Sequence, residues 1–276
     1  MNLKRLVVSV FVLSLVMVIS PMLHPHAEAS MQDYKKTTNI AHRGASGHAP
    51  ENTIAAFDKA VDMNADYFEV DVQMTKDGQL VLIHDTTVDR TTDRTGSVSD
   101  FTLEEIRQLD AGSWFGEAFA GEKIPTLEET LDRYRGKIGV LIELKNPELY
   151  PGIEEKVAKA LIERNMHRPN NGKMIVQSFN HDSMKMFHHI LPEFPLGVLV
   201  NSGPITAEQL DNFSAYAEYV NPNKALMDRE TVDRIHEYDM KTWPYTVRDQ
   251  ASADYLVGIG VDGISNDFPE LFTSPE

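Results

Sequence analysis

A chain of 276 residues with 42 acidic and 26 basic side chains carries a formal net charge of −16. Such a surface repels nucleic acid and anionic membrane, and a phosphate-bearing ligand has to be met by cations gathered at one place. The chain has no cysteine, which excludes disulfides and a thiol-linked lipid and leaves the core alone to hold the fold.

The first residues read as a segment to be removed. Lys4 and Arg5 precede an apolar run, residues 6–19, and Ala27-Glu28-Ala29 supplies a small-residue cleavage site before Ser30. Roughly 14 apolar residues are short for a membrane span of about 20. Residues 1–29 are therefore expected to be a signal peptide cut after Ala29, giving a secreted protein with no stable membrane anchor. Residues 30–38 are polar and read as a loose arm.

From residue 39 onward strands and helices alternate. Residues 39–41 predict a strand, 52–63 a helix with Ile54, Phe57 and Val61 on one face, and 66–74 a second strand. A Lys76-Asp77-Gly78 turn then returns the chain as a short strand ending at His84-Asp85. The run KIGVLIE (137–143) is continuously apolar before its last residue, as in strands buried on both faces of a parallel sheet. A helix over 154–164 follows, with Pro151 suited to its first turn. Further strands are expected at 174–178, 196–200, 219–221, 241–246 and 262–265, with helices at 181–191, 206–213, 229–238 and 251–259. Eight strands, most separated by helices, fit a (β/α)8 TIM barrel better than an open doubly wound sheet. No G-x-G-x-x-G follows the first strand, which removes the main dinucleotide-binding signal.

One stretch breaks the rhythm. Thr102-Leu103-Glu104-Glu105 and Thr126-Leu127-Glu128-Glu129 are both capping boxes, so two helices start where the barrel needs one. The second is the barrel helix. The first lies in an insertion after the second strand, residues 86–124, which carries Trp114, Phe115 and Phe119 and reads as a small cap over the barrel mouth.

In such a barrel the reactive groups sit at the C-terminal ends of the strands. His42 and Arg43 follow the first strand; Glu69 and Asp71, two apart and so on one face, lie in the second; His84 ends its return arm. Glu143 and Lys145 end the third, Gln177 the fourth, and Trp243 is near the end of the seventh. Alone, an E-x-D pair is more often a solvated face, His-Arg-Gly a turn and Trp243 a core residue; Asn52 or Thr53 would cap the first helix. The signal is the joint placement at one barrel end. Three carboxylates can hold a hard divalent cation, arginine and lysine can meet an anionic tetrahedral group, and two imidazoles can supply a base and an acid. That inventory suits phosphoryl transfer on a diester, whereas a glycosidase has no use for the cations.

The segments AHRGASGHAPENT (41–53), FEVDVQMTKDGQLVLIHD (68–85), DRTTDRTGSV (89–98), LDAGSWF (109–115), IPTLEE (124–129), IELK (142–145), QSFN (177–180) and GVDGISND (260–267) resemble glycerophosphodiester phosphodiesterases. The resemblance implies a barrel with a small insertion after the second strand. It also implies a divalent ion on Glu69, Asp71 and Glu143, an acid/base pair of His42 and His84, and phosphate contacts from Arg43 and Lys145. His42 would be the base and His84 the acid of a first step in which the glycerol's own hydroxyl attacks phosphorus, giving a cyclic phosphate that water opens. Gln177 and Trp243 are candidate substrate contacts.

The expected substrates are glycerophosphodiesters, cleaved to sn-glycerol 3-phosphate and an alcohol, with teichoic-acid-type glycerophosphate polymers as a second possibility for an exported enzyme. Calcium is favoured over magnesium, because outside the cell it fills weak oxygen sites of ~10⁻⁴–10⁻³ M. The competing readings are a phospholipase D acting on lysolipids and a non-catalytic metal-dependent binding protein.

Overall fold

The computed structural model describes residues 30–168 and 173–272. The signal-peptide segment 1–29 lies outside the described residues. The strands are β1 (Thr38–Ala41), β2 (Tyr67–Met74), β3 (Leu80–Leu82), β4 (Gly139–Leu144), β5 (Met174–Ser178), β6 (Leu196–Val200), β7 (Tyr219–Pro222) and β8 (Gly263–Asn266). All neighbours pair in parallel in the order β7-β6-β5-β4-β2-β1-β8, except β3, which folds back antiparallel on β2.

The expected seventh strand, 241–246, does not form a regular strand. Pro244 lacks an N–H and cannot continue a ladder on both sides. The segment instead touches its neighbours point by point: Lys241 bridges to Tyr219, Tyr245 to Asn223, and Val247 to Asn266. The Pro244 carbonyl still accepts the Ser265 N–H at 3.0 Å. These contacts join β7 to β8 and close the (β/α)8 barrel.

The α-helices are α1 (Met31–Tyr34), α2 (Ile54–Asp62), α3 (Leu103–Ile106), α4 (Leu127–Tyr134), α5 (Ile153–Glu163), α6 (His181–Ile190), α7 (Ala207–Phe213), α8 (Arg229–His236) and α9 (Gln250–Gly258). Both capping boxes form, at Thr102 with Glu105 and at Thr126 with Glu129. The helix after β4 begins later than Pro151, with Gly152 in the left-handed region as its N-cap. The arm at 30–38 is not loose. It holds α1, and Tyr34 is buried, donating from its hydroxyl to Asp254 Oδ1 at 2.6 Å and meeting Phe272 edge-on.

Alternation along β2 decides what faces where. Phe68, Val70 and Val72 join the large core under the helices, where Phe68 stacks on Phe57 at 4.5 Å and Tyr134 meets both rings edge-on. Glu69, Asp71 and Gln73 point the other way, into the barrel. Below them a small layer of Ile40, Leu141, Ile175 and Trp243 fills the interior. Gly263 is required there, because a Cβ would lie 2.5 Å from the Trp243 ring.

Residues 86–124 build a separate small core, Val88, Val98, Ile106, Leu109 and Ile124, against Val81 and Ile83 of the hairpin. Trp114, Phe115 and Phe119 pack edge-to-face among themselves, with Trp114 40 % exposed.

Candidate active site

The β1–α2 turn sets the first two groups. Arg43 and Gly44 both have positive φ, 58° and 80°, and a Cβ on Gly44 would lie 2.7 Å from Ala56. This tight turn aims the Arg43 N–H at Glu69 Oε2, 2.8 Å away, and its guanidinium at Asp71 and Glu51. His42 stands just before it, with Nδ1 2.7 Å from Asp267 Oδ1 after β8.

In the β2–β4 register Asp71 lies beside Glu143, so the inward faces of two adjacent strands bring three carboxylates together. One oxygen from each of Glu69, Asp71 and Glu143 lies within 4.8 Å of the others, and all three residues are buried. Burial pushes the Glu69 carboxyl well up, and repulsion from Asp71 and Glu143 adds to it. Burial also pushes Glu143 up, to about 7, against the opposing pull of Lys145. Burial acts on Asp71 in the same sense, but Arg43 and Lys145 outweigh it and hold that carboxyl below its usual range. Glu69 Oε1 is buried with no hydrogen-bond partner. Two carboxyls that resist ionisation, crowded against a third that is ionised, with one Glu69 oxygen orphaned, are a donor set that fits a hard divalent cation.

Two cations flank the triad. Arg43 contacts Asp71 Oδ2 at 3.3 Å, and Lys145 contacts Glu143 Oε1 at 2.8 Å and Asp71 Oδ1 at 3.8 Å. Burial opposes charging on each, yet the surrounding carboxylates raise both above their ordinary values. They stay charged.

His84 follows β3, with Nδ1 2.7 Å from Asp85 Oδ1. Burial is the main influence lowering both His42 and His84 below the ordinary imidazole value, and Arg43 pushes the same way. Asp267 and Asp85 partly oppose it. Each imidazole can donate from Nδ1 to its carboxylate, which leaves Nε2 free to exchange a proton.

These side chains surround a cavity of about 150 Å³ that also reaches Gln177 and Trp243. The Gln177 Oε1 accepts from Asn221 Nδ2 at 2.8 Å, and Asn221 Oδ1 accepts the Trp243 N–H at 2.9 Å. Trp243 is thus both interior packing and cavity floor, with a buried, unpaired Nε1. All nine residues singled out from the sequence therefore converge at this barrel end, Asp71 lying buried beneath the cavity wall.

Sequence reasoning missed the supports. Thr53 caps α2, accepting from the Ala56 N–H, whereas Asn52 binds Asp71 twice, through Nδ2 to Oδ2 at 2.8 Å and through Oδ1 from the Asp71 N–H at 3.1 Å. Arg90, from the insertion, binds Asp85 and Glu51 together. Gln73 Nε2 approaches the carbonyls of Ile83, His84 and Asp85 at 2.6–3.0 Å, and its Oε1 accepts from Tyr150. Only Gln73 carried a usable signal, being two residues beyond Asp71 on the same strand face.

Residues 42–271 match the sequence pattern of the Glycerophosphoryl diester phosphodiesterase family. The chain is 38 % identical over 285 residues to a glycerophosphodiester phosphodiesterase of Bacillus subtilis (strain 168), covering 98 % of this chain and 97 % of the relative. It is 45 % identical over 241 residues to one from Caldanaerobacter subterraneus subsp. tengcongensis, covering 85 % and 96 %. Among solved structures, an Oleispira antarctica phosphodiesterase in complex with the product sn-glycerol-3-phosphate superposes with a TM-score of 0.76 at 32 % identity, over 86 % of this chain and 96 % of that one.

Proposed function

Because the chain belongs to the glycerophosphoryl diester phosphodiesterase family, we propose that it hydrolyses small glycerophosphodiesters to sn-glycerol 3-phosphate and an alcohol by histidine acid/base chemistry at this site. The observation that carries the reading is the pair of imidazoles, each anchored at Nδ1 by a carboxylate, opening on one cavity with Arg43 and Lys145.

His42 accepts the proton of the glycerol 2-hydroxyl as its oxygen attacks phosphorus. The bond to the alcohol breaks, and protonated His84 donates to the departing oxygen. A bound phosphodiester anion beside His84 favours that protonated form. In the second step neutral His84 takes a proton from water as the water oxygen attacks the cyclic phosphate, and His42 returns its proton to the 2-oxygen. Arg43 and Lys145 hold the phosphoryl oxygens, where charge accumulates. Glu69, Asp71 and Glu143 would hold a divalent ion, calcium in preference to magnesium. Such an ion supplies positive charge to the same oxygens.

The signal-like segment 1–29 supports export. In that setting glycerophosphate wall polymers are a second substrate in this proposal. A lysolipid substrate would need an apolar entrance, and the mouth beside the cavity has polar walls, Asn146, Glu148, Ser178, Asn180, His181 and Asp182 among them, with Leu144, Pro147 and Phe179 as its apolar members. That lining favours a small hydrophilic diester.

The test is turnover of glycerophosphodiesters by His42→Ala and His84→Ala, with products identified by mass. Each variant should lose about 10²–10⁴-fold in kcat while still binding sn-glycerol 3-phosphate. Turnover at the parent rate in either variant would sink the acid/base assignment.

A further inference from the structure

The cations around the catalytic cavity differ in how far their donors are used. Arg90 commits all three of its nitrogens to Asp85 and Glu51. Arg43 and Lys145 are 16 % and 12 % exposed, and carboxylates of the triad hold both. Arg248 lines the same cavity but is 60 % exposed. Its Nε donates to Asp267 Oδ2, while Nη1 and Nη2 have no partner among the described residues. A guanidinium with two donors free can take a tetrahedral oxyanion in a bidentate way.

The barrel fixes where this group stands. The Val247 N–H donates to the Ser265 carbonyl at 2.9 Å and the Asp267 N–H to the Val247 carbonyl at 3.2 Å, which sets residue 248 beside the end of β8. Asp267 bridges Arg248 and His42 without joining the cavity wall, so the cavity meets the guanidinium and not the carboxylate. The next acid in the chain, Asp249, is committed to α9 as its N-cap, accepting from the Ser252 N–H and hydroxyl at 2.8 Å each. Lys224 lies 3.7 Å from that carboxylate and adds positive charge to the same sector. The rim beyond Lys145 has the opposite sign. There Glu148 accepts from the neutral amides of Asn146 and Asn180 at 3.4 and 3.3 Å. An additional anionic group on a substrate is therefore drawn to the β8 sector and repelled from the β4 side.

The proton transfer set out above gives the β8 sector a chemical identity. His42 takes the proton of the glycerol 2-hydroxyl, so the glycerol lies on the His42 side of the phosphate held by Arg43 and Lys145. Its terminal carbon remote from the reacting phosphorus then extends towards Arg248.

We propose that Arg248 is a specificity-determining residue that binds a second phosphate on the far hydroxyl of the glycerol, so that the site accepts glycerol phosphorylated at both ends. The inference rests on the diesterase reading and adds to it which glycerol units the site admits. The same chemistry occurs in a small doubly phosphorylated diester and at an interior unit of a glycerophosphate chain.

The test compares kcat/KM for sn-glycero-3-phosphocholine with that for the same diester phosphorylated on its free terminal hydroxyl. The full-length enzyme should favour the phosphorylated diester, and a preference for the plain one would overturn the inference. Arg248→Gln should lower the phosphorylated-to-plain ratio by about five- to fiftyfold, mainly through KM, and Arg248→Lys should restore part of it. A role confined to supporting Asp267 would slow both diesters alike, so an unmoved ratio would also overturn it. Added salt should lower the parent's ratio more than the variant's, because Arg248 is exposed. Inhibition of the unaltered enzyme keeps the proposal decidable if the variants fold poorly. Glycerol 1,3-bisphosphate should inhibit more strongly than sn-glycerol 3-phosphate, and equal inhibition would count against Arg248. A chain of three glycerophosphate units separates the two sources of the second phosphate. Cuts at interior linkages mark a chain substrate; cuts at the end alone, with the phosphorylated diester still favoured, mark a small one. Failure to hydrolyse sn-glycero-3-phosphocholine at all would remove the diesterase reading and this inference with it.

Discussion

Asp267 Oδ1 lies 2.7 Å from Nδ1 of His42, although the two residues are 225 positions apart in the chain. The carboxylate also receives the Arg248 guanidinium, so it sits between two donors and is held below the usual carboxylate range despite its burial. It fixes which imidazole nitrogen carries the proton and raises the His42 pKa against the effect of burial. Asp267→Ala should therefore lower kcat on the order of 10²-fold by leaving the imidazole unoriented. Because the interaction raises the His42 pKa, its loss should shift the acidic limb of the kcat/KM profile to lower pH. Freed Arg248 would push the same way. A variant with parent kcat and an unmoved acidic limb would show that Asp267 does not act through His42.

The second imidazole is supported differently. Arg90 donates Nε to Asp85 Oδ2 at 2.7 Å and Nη1 to Glu51 Oε2 at 2.8 Å, while Glu51 Oε1 accepts from Arg43 at 2.8 Å. One side chain from the insertion thus ties the support of His84 to the support of Arg43. Arg90 is about half exposed, so its removal should change stability by less than about 1 kcal/mol. Arg90→Met should nonetheless reduce kcat/KM roughly tenfold, because two partners of reacting groups lose a common anchor. Arg90→Lys should restore little of this, since an ammonium cannot bridge two carboxylates as a planar fork does. Matched thermal melts and kinetics of the three proteins decide it, and a loss confined to Tm would count against a positioning role.

The meeting of the two histidines with the three carboxylates could be read from the chain, because the histidines follow strands and the carboxylates share inward strand faces with a two-residue period. Glu69 and Asp71 share a face by geometry alone, and Glu143 interrupts an apolar run that demands a reason. The supports were not legible in that way. Asp267 meets His42 only when β8 pairs with β1, and Arg90 meets Glu51 only because the insertion folds back over the hairpin. Local rules also left Asn52 and Thr53 undecided, since both can cap a helix and only the fold reveals that Thr53 is the cap and that Asn52 holds Asp71. The seventh strand failed for a local reason visible in Pro244, whose missing N–H leaves bridging contacts in place of a ladder.

Gln73 offers a test of stability as well as placement. Its buried amide engages the backbone carbonyls of Ile83, His84 and Asp85 and accepts from the Tyr150 hydroxyl. Gln73→Leu keeps much of the volume but leaves these polar groups without their partner. The expected cost is about 2–4 kcal/mol, at 1–3 kcal/mol for each buried group left unsatisfied. In a domain of this size that should lower Tm by roughly 5–15 °C. The return arm bearing His84 would lose its clamp, so kcat should fall further than the unfolded fraction accounts for. A Tm within about 2 °C of the parent would mean that other partners satisfy these carbonyls.

Two carboxyls of the acidic triad, Glu69 and Glu143, make a prediction whose sign differs from that of most carboxylates, Asp71 included. Burial pushes the Glu143 carboxyl up from its ordinary 4.5 to about 7, and pushes Glu69 in the same direction. Between those values the folded state keeps protons that the unfolded state has released, so this contribution to stability is present below about pH 4.5 and is lost as pH rises towards 7. A divalent ion competes with those protons and should reverse the trend. In chelator, Tm of the parent should therefore fall from pH 5 to pH 7.5 relative to a Glu143→Gln variant, in which the titrating carboxyl is gone. Added calcium should raise the parent's Tm more at pH 7.5 than at pH 5 and should stabilise the variant less. Activity should vanish on chelation and return with a single metal. A parent and variant with parallel pH dependence and no calcium response would remove the triad as a cation site, whatever the activity shows.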